Sequence, residues 1–439
     1  MNGQVIRPDD PGYDRARTVF YGGIDRHPAM IARVRDAADV RRVVALAGET
    51  GLELAVRSGG HSLAGHGVSD GGIVLDLSDM RGLDIDVRQG TAWAETGLTA
   101  GEYTTGTGTV GLATGFGDTG QVGIGGITLS GGVGFLVRKH GLTIDNVLAA
   151  DVVTADRELL RVDAESHPDL FWAIRGGGGN FGVVTRFQYR LHEVGTVMGG
   201  VLVLPATADV IESFLAEAEA APEELSTIAN VMPAPPAPFI PAEHHGRPVV
   251  MGMLAYAGRI RDGERALARF RELATPIADL LRPLPYPEVF PPAQEDFHPI
   301  AATRTMFLDR FDRRAAETIV GRLETATVAM AVTQLRVLGG AMARVPADAT
   351  AFAHRGRRIM ANVAAMYERP EQRAAQQAWS RRACGRAAPE RRRLCRLHRR
   401  RGRGAGPRRV PRLDLRTAGG DQGSPRPGQP LPAEPERQA

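Results

Sequence analysis

The sequence predicts an α+β protein with two folded domains and an arginine-rich tail. Three observations support this prediction. Strand and helix patterns alternate near the N-terminus and lead into a glycine-dense stretch. After about Val194, amphipathic helices alternate with strands. From about Trp379, arginine and proline dominate the composition. We therefore place the domains at residues 1–195 and 196–378, followed by a disordered tail at residues 379–439.

The first domain begins with a strand, a helix and a second strand, in "AMIARVRDAADVRRVVALAGETGLELAVRSGG". Asp36 is a suitable N-cap for this helix, and Gly51 can end it. "GIVLDLS" predicts a further strand, "NVLAADVVTADRELLRVD" a hairpin that turns near Asp156, and "FGVVTRFQYRLHEV" a strand that leaves the domain. Residues 91–141 are rich in glycine and show few helix signals, which favours tight turns close to a ligand.

The second domain combines helices and strands. "PATADVIESFLAEAEAAPEEL" and "DGERALARFRELATPIADLL" have the apolar spacing of amphipathic helices. "VVMGMLAYAG" and "RIMANVAAMY" predict strands, and "MPAPPAPFIPAE" predicts a proline-rich loop between elements. The mixture indicates an α+β domain that contains a sheet.

The net charge of +4 averages two different regions. Residues Ser380–Ala439 contain 17 arginines, no lysine and five acidic residues, a net charge of +12, whereas the preceding 379 residues carry −8. The body therefore gives no reason to expect nucleic-acid binding. Both cysteines, Cys384 and Cys395, lie in the tail, so the body has no cysteine-based metal site. The absence of a long apolar run and of a secretory leader pattern predicts a cytoplasmic protein without a membrane partner.

The strand that ends in "RSGGH", Arg57 to His61, is the first candidate site. Gly59 and Gly60 can adopt dihedral angles that other residues avoid, so successive backbone N–H groups can converge on an anion. A pyrophosphate suits such a turn, and Arg57 adds positive charge nearby. His61 lies at the mouth of the turn. An isolated G-G-H more often holds a loop histidine bonded to backbone.

Two further patterns lack the context that their usual function requires. "GTGTVG", residues 106–111, matches the dinucleotide fingerprint G-x-G-x-x-G. That fingerprint needs a strand before it and a helix after it, but the next residues, "LATGFGDTGQ", lack a helical apolar period. His66 lies five residues after His61, but the sequence shows no partners with which it could bind a metal. We expect neither a Rossmann turn nor a metal site.

Three motifs in order change the interpretation of His61. "RSGGHSLAGHG", "GLATGFGDTGQVGIGGITLSGGVGFLVRKHGLTIDNV" and "PDLFWAIRGGGGNFGVVTRFQYRLHEV" follow one another between Pro11 and His192. This stretch resembles the FAD-linked oxidases that have the vanillyl-alcohol-oxidase (PCMH) type of FAD-binding domain. Within them it is most similar to the berberine-bridge-enzyme and 6-hydroxynicotine-oxidase branch. The resemblance implies a two-part flavin-binding domain joined to a substrate domain with an antiparallel sheet.

In that family the histidine of R-S-G-G-H is bonded to the 8α carbon of the flavin, and the resemblance assigns this role to His61. Bicovalent members also carry a cysteine before the V-G-x-G-G run, where this chain has Thr119. The resemblance therefore implies FAD held by one covalent bond. The residues implied to contact the cofactor are Arg57, Ser58, Gly59, Gly60, His61, Ser62, Thr119, Gly123, Gly125, Gly126, Gly131, Gly179, Phe181, Gly182 and Val184.

The resemblance implies an FAD-dependent oxidoreductase. A small-molecule substrate, namely an alcohol, an amine or a sugar, would pass a hydride to the flavin, and dioxygen would reoxidise it. The sequence does not identify the catalytic base. In the family it often comes from the sheet of the second domain, which makes Asn362 and Tyr367 of "RIMANVAAMY" candidates. Ordinary strand packing is the alternative for both.

The tail supports a rival hypothesis, a basic-tailed protein that binds nucleic acid or another anion. Against it, the tail has no aromatic residue for base stacking. We instead predict that the tail arises from a reading-frame slip, which would leave an inactive remnant of an oxidase. Permitted codons of "GDQGSPRPGQPLPAEPERQA", read from the second base, allow "AIKGRHDPDNLFRLNPNVK", which resembles the family's C-terminal segment. Resequencing of the gene tests this prediction.

Overall fold

A computed structural model of the chain describes residues 1–292, 297–326, 328 and 330–387. The chain divides into two compact units, Met1–Pro389 and Glu390–Ala439. The second unit lies outside the described residues. The frame slip and the anion-binding tail therefore stay predictions.

The first unit contains short helices and many strands, numbered here in chain order. The helices are α1 Tyr13–Arg17, α2 Ala37–Thr50, α3 Ala100–Gly108, α4 Ile124–Leu129, α5 Val137–His140, α6 Pro168–Ile174, α7 Ala208–Ala220, α8 Ile260–Arg271, α9 Arg313–Glu324, α10 Ala341–Arg344 and α11 Arg373–Ala387. The strands of the first half are β1 Gln4–Ile6, β2 Met30–Arg33, β3 Leu54–Arg57, β4 Ile73–Asp76, β5 Leu83–Asp86, β6 Thr91–Glu95, β7 Leu112–Ala113, β8 Val147–Val153, β9 Leu159–Asp163, β10 Val183–Arg190 and β11 His192–Glu193. Those of the second half are β12 Thr196–Pro205, β13 Leu225–Pro233, β14 Pro248–Tyr256, β15 Ala278–Asp279, β16 Arg282–Pro285, β17 Ile300–Leu308, β18 Met330–Val337 and β19 Ile359–Tyr367.

The first half contains two main sheets. One has the strand order β1-β2-β4-β3, in which β2, β4 and β3 run parallel. As predicted, α2 connects β2 to β3: the Asp36 side chain caps its N-terminus, and Gly51 ends it with a φ of 71°. The other sheet is antiparallel, with the order β5-β6-β10-β8-β9. Apolar residues of α2 and of both sheets share one buried cluster, which joins the sheets.

The second half is built on an eight-stranded antiparallel sheet. Its strand order is β15-β12-β14-β13-β18-β19-β17, and β16 pairs with β12. One face of this sheet packs against α7, α8, α9 and α11 in the most extensive of the buried clusters. The other face, which we call the inner face, contacts loops of the first half through the side chains of Gln334 and Arg336. The α+β class and the antiparallel second sheet are thus confirmed.

Three local expectations were wrong. Residues 91–141 do contain helices, because Thr99 and Glu102 form a capping box at the start of α3. The second amphipathic helix stops at Arg271, and Pro276 prevents it from extending through the rest of the predicted stretch. The first residues assigned to the tail belong to α11, and Trp379 is buried in the core.

The domain boundary at residue 195 coincides with a change of sheet between β11 and β12. Both halves belong to one compact unit, and so the boundary stays a prediction. Among the described residues, no helix combines the length and the apolar character that crossing a bilayer requires.

Candidate functional site

A cavity of about 1240 Å³ lies at the C-terminal end of β3. Its wall includes Phe20, Arg57, Ser58, Gly59, Gly60, His61, Asp76, Thr99, Glu102, Gly120, Gln121, Phe290, Phe297 and His298. The cavity is larger than typical sites for drug-sized ligands, which hold about 300–1,000 Å³. Every residue of the "RSGGH" motif therefore faces one ligand-sized space.

The turn after β3 depends on glycine at two places. Gly60 has a φ of 68°, in the left-handed region that favours glycine. A Cβ atom on Gly59 would lie 2.3 Å from the backbone nitrogen of Gly123, and one on Gly123 would lie 2.2 Å from that of Gly59. The missing side chains let the turn touch the loop before α4. The first two sequence motifs thus meet at this contact.

Arg57 is held beneath the turn by Asp76. Its Nη2 atom lies 2.9 Å from the carboxylate, and Arg33 approaches the same carboxylate at 3.2 Å. Burial disfavours the ionised form of Asp76, but the charge and hydrogen bond of Arg57 outweigh it, so that the pKa of Asp76 is lowered. Nη1 of Arg57 is buried and has no partner among the described residues. This N–H group remains available to a ligand.

His61 lines the cavity, and one of its ring nitrogens has no hydrogen-bond partner among the described residues. Its Nδ1 lies 2.8 Å from the carbonyl oxygen of Gly59, which can only accept, so Nδ1 carries the proton. Burial lowers the pKa of His61, although the bond to Gly59 opposes this effect, and the imidazole is therefore neutral. Nε2 keeps its lone pair and is buried without a partner within the described part of the chain. The ring stacks on Phe20 with centroids 4.2 Å apart.

The residues present fit an FAD at this wall. The Gly59–Gly60 turn supplies backbone N–H groups suited to a pyrophosphate. The unpaired Nη1 of Arg57 and Nε2 of His61 are buried polar atoms that a ligand would satisfy, since native proteins rarely leave such atoms without a partner. The described residues contain no cluster of His, Cys, Asp or Glu that could hold a metal ion. A large organic anion suits these donor groups.

The second motif only partly reaches the cavity. Gly125 packs against Ser58, where a Cβ atom would meet its side chain at 3.1 Å. Gly126 has open space around it. Gly131 and Gly132 both have positive φ and approach Phe352 and Thr143, away from the turn.

Two residues predicted to contact the cofactor instead form hydrogen bonds within neighbouring loops. Thr119 lies beside the wall residues Gly120 and Gln121, and its Oγ1 accepts a 3.4 Å hydrogen bond from the Gln121 backbone. The Ser62 hydroxyl accepts a 3.3 Å hydrogen bond from the backbone of His66, whose side chain is exposed. Neither Thr119 nor Ser62 is part of the cavity wall.

The third motif reaches the site through one residue. The carbonyl of Val184 accepts a 2.8 Å hydrogen bond from the Thr96 hydroxyl, and the carbonyl of Thr96 accepts a 2.5 Å hydrogen bond from Ser58. Gly182, with a φ of 148°, lies against the backbone of β8. Gly179 and the exposed Phe181 are not part of the cavity wall.

The two candidates on β19 point to opposite faces of the large sheet. Asn362 lies on the inner face, opposite Gln334 and Thr305 on the neighbouring strands. Tyr367 is five residues further along, and side chains alternate along a strand, so it points to the helix-packed face, where it is buried. The structure therefore brings only Asn362 to the inner face.

Asp118 is a candidate that no sequence motif singled out. This residue of the "GFGDTGQ" loop accepts hydrogen bonds from Gln334 at 3.1 Å and from Arg336 at 2.6 Å, both on β18. A charged residue within a glycine-rich loop was the available signal. Its partners could not be found, because they lie more than 200 positions away along the chain.

Comparison with known proteins gives a consistent result. Residues 28–163 match the family model described as an FAD binding domain. The chain is 34% identical over 330 residues to (R)-6-hydroxynicotine oxidase of Paenarthrobacter nicotinovorans, which covers 74% of this chain and 71% of that protein. Three further relatives, named FAD-linked oxidoreductases, align over 38% to 45% of their own length.

Solved structures have the same fold. The crystal structure of 6-hydroxy-D-nicotine oxidase from Arthrobacter nicotinovorans superimposes with a TM-score of 0.77 and 28% identity, over 89% of this chain and 86% of that one. Glucooligosaccharide oxidase from Acremonium strictum, whose FAD is described as 6-S-cysteinyl, 8α-N1-histidyl, superimposes with a TM-score of 0.76 and 22% identity, over 88% and 86% of the two chains. At 22% identity, the similarity to glucooligosaccharide oxidase shows a shared fold only.

Proposed function

We propose that this chain, which belongs to the FAD-linked oxidases of the 6-hydroxynicotine-oxidase and berberine-bridge-enzyme family, binds its flavin through one covalent bond to His61 and uses dioxygen as electron acceptor. The family membership makes it an FAD-dependent oxidase that acts on a small molecule. None of the comparisons supports the rival hypothesis of a nucleic-acid-binding protein.

Several residues of the cavity wall would bind different parts of FAD. The turn at Gly59 and Gly60 would receive the pyrophosphate, and the unpaired Nη1 of Arg57 would add a positively charged donor beside it. Phe20 supports the imidazole of His61 by stacking. Bound flavin supplies the redox chemistry, since it accepts a hydride from substrate. The protein's own residues bind and orient the reactants.

The observation that carries the covalent link is the free Nε2 of His61, a buried lone pair on a neutral imidazole. Bond formation joins Nε2 to the flavin's 8α carbon and breaks one C–H bond of that methyl group. One hydrogen from the methyl group and one from the imidazole leave with two electrons, which dioxygen takes up as hydrogen peroxide. The chain's cysteines, Cys384 and Cys395, are far in sequence from Thr119, and so we propose a single link.

Replacement of His61 by alanine tests the link. The wild-type protein, denatured in acid, should keep its yellow colour in the precipitate, and the peptide carrying His61 should be heavier by one flavin. We expect H61A to release all its flavin on denaturation. His66→Ala is the matched control, because the exposed His66 lies in the same loop and should leave the link intact. Flavin that the wild type releases intact would overturn the proposal.

The electron acceptor can be tested without a known substrate. The holoenzyme is photoreduced without oxygen and then mixed with aerated buffer. We expect the flavin to reoxidise and one hydrogen peroxide to form for each flavin. Reduced flavin that persists in air but is reoxidised by a quinone dye would identify a dehydrogenase instead.

A further inference from the structure

Two different contacts fix the imidazole of His61. Its Nδ1 atom donates to the carbonyl of Gly59 at 2.8 Å, which sets the direction of one ring edge. Phe20 covers a face of the ring, with the centroids 4.2 Å apart and the planes inclined by 17°. The hydrogen bond by itself would let the ring tilt about that bond, whereas the stacked face also fixes its plane. The lone pair of Nε2 lies in this plane, so its direction depends on Phe20.

On one side, Phe20 is attached to the turn that carries His61. Its backbone N–H donates to the carbonyl of Gly60 at 3.2 Å. The preceding residue, Val19, is buried and lies against the same glycine, where an added Cβ atom would meet it at 3.7 Å. The backbone of Phe20 is therefore bound directly to the first half of the chain.

On the other side, Phe20 contacts the residues that lead into β17. Nδ1 of His298 lies 3.2 Å from the carbonyl oxygen of Val19 and 3.3 Å from that of Phe20. Both oxygens can only accept, so Nδ1 carries the proton and is shared between them. The ring of Phe297 meets that of Phe20 edge to face, with centroids 6.3 Å apart. Phe297 and His298 both belong to the cavity wall. The second half of the chain thus reaches His61 through one aromatic ring.

Two glycines allow the backbones to come this close. The N–H of Gly22 donates to the carbonyl of Pro299 at 3.2 Å. A Cβ atom on Gly22 would lie 2.6 Å from the carbonyl oxygen of His298, and one on Gly23 would lie 2.8 Å from the first side chain of β17. Residues 19–23, which we call the bridging segment, therefore fit closely between the turn and the start of β17.

We propose that the start of β17 controls covalent attachment of the flavin, because His298 and the bridging segment hold Phe20 where it orients His61 for reaction. This inference rests on the proposed function. Bond formation requires close alignment of the reacting atoms, and a displacement of about 1 Å can slow a reaction by about 10²-fold. The second half would thereby decide whether the flavin that the first half binds also becomes linked.

Phe20 and His298 are positioning residues. The bond from Nε2 of His61 to the 8α carbon forms, one C–H bond of the methyl group breaks, and the imidazole loses one hydrogen. Dioxygen receives both hydrogens and two electrons as hydrogen peroxide. Neither Phe20 nor His298 gains or loses a proton or an electron in this step, so both act through the orientation of His61.

The test measures the rate of attachment. Full-length apoprotein from riboflavin-depleted cells is mixed with FAD in aerated buffer and precipitated with acid at intervals, and the flavin retained in the precipitate is measured. FAD is used in saturating excess, so that weaker binding does not change the rate. We expect Phe20→Leu to slow attachment by about 10-fold or more, because leucine has no flat face to hold the imidazole plane. Phe20→Tyr keeps the ring and should link at nearly the wild-type rate.

A double-mutant cycle tests whether His298 acts through Phe20. His298→Ala should also slow attachment, and His298→Gln should recover part of the rate, because its amide can donate to a backbone carbonyl. The double variant F20L/H298A should be no slower than F20L, since both changes remove the same orienting contact. Slowing factors that multiply in the double variant would show a separate action of His298 and would overturn this inference.

Phe239→Ala and His245→Ala are the matched controls. Phe239 is exposed, His245 bonds to the carbonyl of Ile240 at 2.9 Å, and neither belongs to the cavity wall. Both variants should link flavin at the wild-type rate, and all rates are measured well below each variant's unfolding midpoint. A linked wild type with an equally fast F20L would overturn this inference alone. Wild-type flavin that is released intact would overturn the proposed function, and this inference with it.

Discussion

The contact between Gly59 and Gly123 shows how a single missing side chain can create a binding site. Two backbone segments from distant parts of the chain meet there with no space for a Cβ atom. The contact holds the loop with Asp118 and Thr119 beside the turn that presents His61. The position of the turn that presents His61 therefore depends on this close approach.

Replacement of Gly59 by alanine should disrupt this contact. The new Cβ atom would lie 2.3 Å from a backbone nitrogen, so one segment must move. We expect less bound flavin per protein and a loss of about 1–3 kcal/mol in the free energy of unfolding, as is typical of overpacking. Gly48→Ala, at an exposed position of α2, is the control, because nothing lies within 4 Å of the added atom. Equal flavin content in G59A and wild type would contradict this prediction.

At the level of elements, a buried ion pair ties the segment between β18 and β19 to the first half. Arg355, which is 1% exposed, donates to both carboxylate oxygens of Asp145, at 2.6 and 3.0 Å. Asp145 also accepts from the backbone of Leu142, which fixes the turn after α5. Asp145 therefore has a structural role, since its oxygens are used within the fold.

Arg355→Met should destabilise the protein strongly. The variant leaves the Asp145 carboxylate buried without its partner, which costs about 3–5 kcal/mol in the free energy of unfolding. Arg357→Met is the matched control, because Arg357 pairs with Asp309 where both side chains are exposed, and such pairs contribute about 0–1 kcal/mol. Denaturant unfolding of both variants measures the difference. Similar losses in the two would show that the buried pair has no special role.

For the molecule as a whole, a buried histidine pair makes stability depend on pH. His140 of α5 and His192 of β11 stack with centroids 3.9 Å apart. Burial, then the charges of His192 and Lys139, lowers the pKa of His140 to about 3. Burial, then Arg190 and Lys139, lowers the pKa of His192 to about 4. Nε2 of His192 bonds to Asn146 at 2.6 Å, whereas Nε2 of His140 is buried without a partner in the described chain.

The free energy of unfolding should therefore fall on the acid side. Both folded-state pKa values lie below the ordinary 6.5, so the unfolded chain takes up protons first as the pH decreases. The histidine pair's contribution to the free energy of unfolding is fully present above about pH 6.5. It decreases as the pH falls towards 4 and then 3. His140→Phe keeps the stacking and removes one titration, so its unfolding midpoint should depend less on pH. His66→Gln, at an exposed site, should keep the wild-type pH dependence of the unfolding midpoint. An unchanged pH dependence in H140F would contradict the prediction.

Helix ends, turns and glycine-rich motifs could be predicted from the sequence because they depend on local chemistry. The cap at Asp36, the stop at Gly51 and the Gly59–Gly60 turn follow from what individual side chains, or their absence, permit. The order of the three glycine-rich motifs sufficed to identify the family, because three motifs in one order are far more specific than any single glycine pattern. The capping box at Thr99 was equally local, but the density of glycine around it concealed the helix.

Long-range packing decided which side chains meet at the candidate site. Only the folded sheet puts Asn362 beside Gln334 and turns Tyr367 to the other face, since strand register and alternation set both. Only the packing of a first-half loop against β18 places Asp118 beside Arg336. The hydrogen bond from His61 to Gly59 decided which imidazole nitrogen stays available. Such pairings depend on contacts between residues far apart in the chain, which local sequence patterns do not encode.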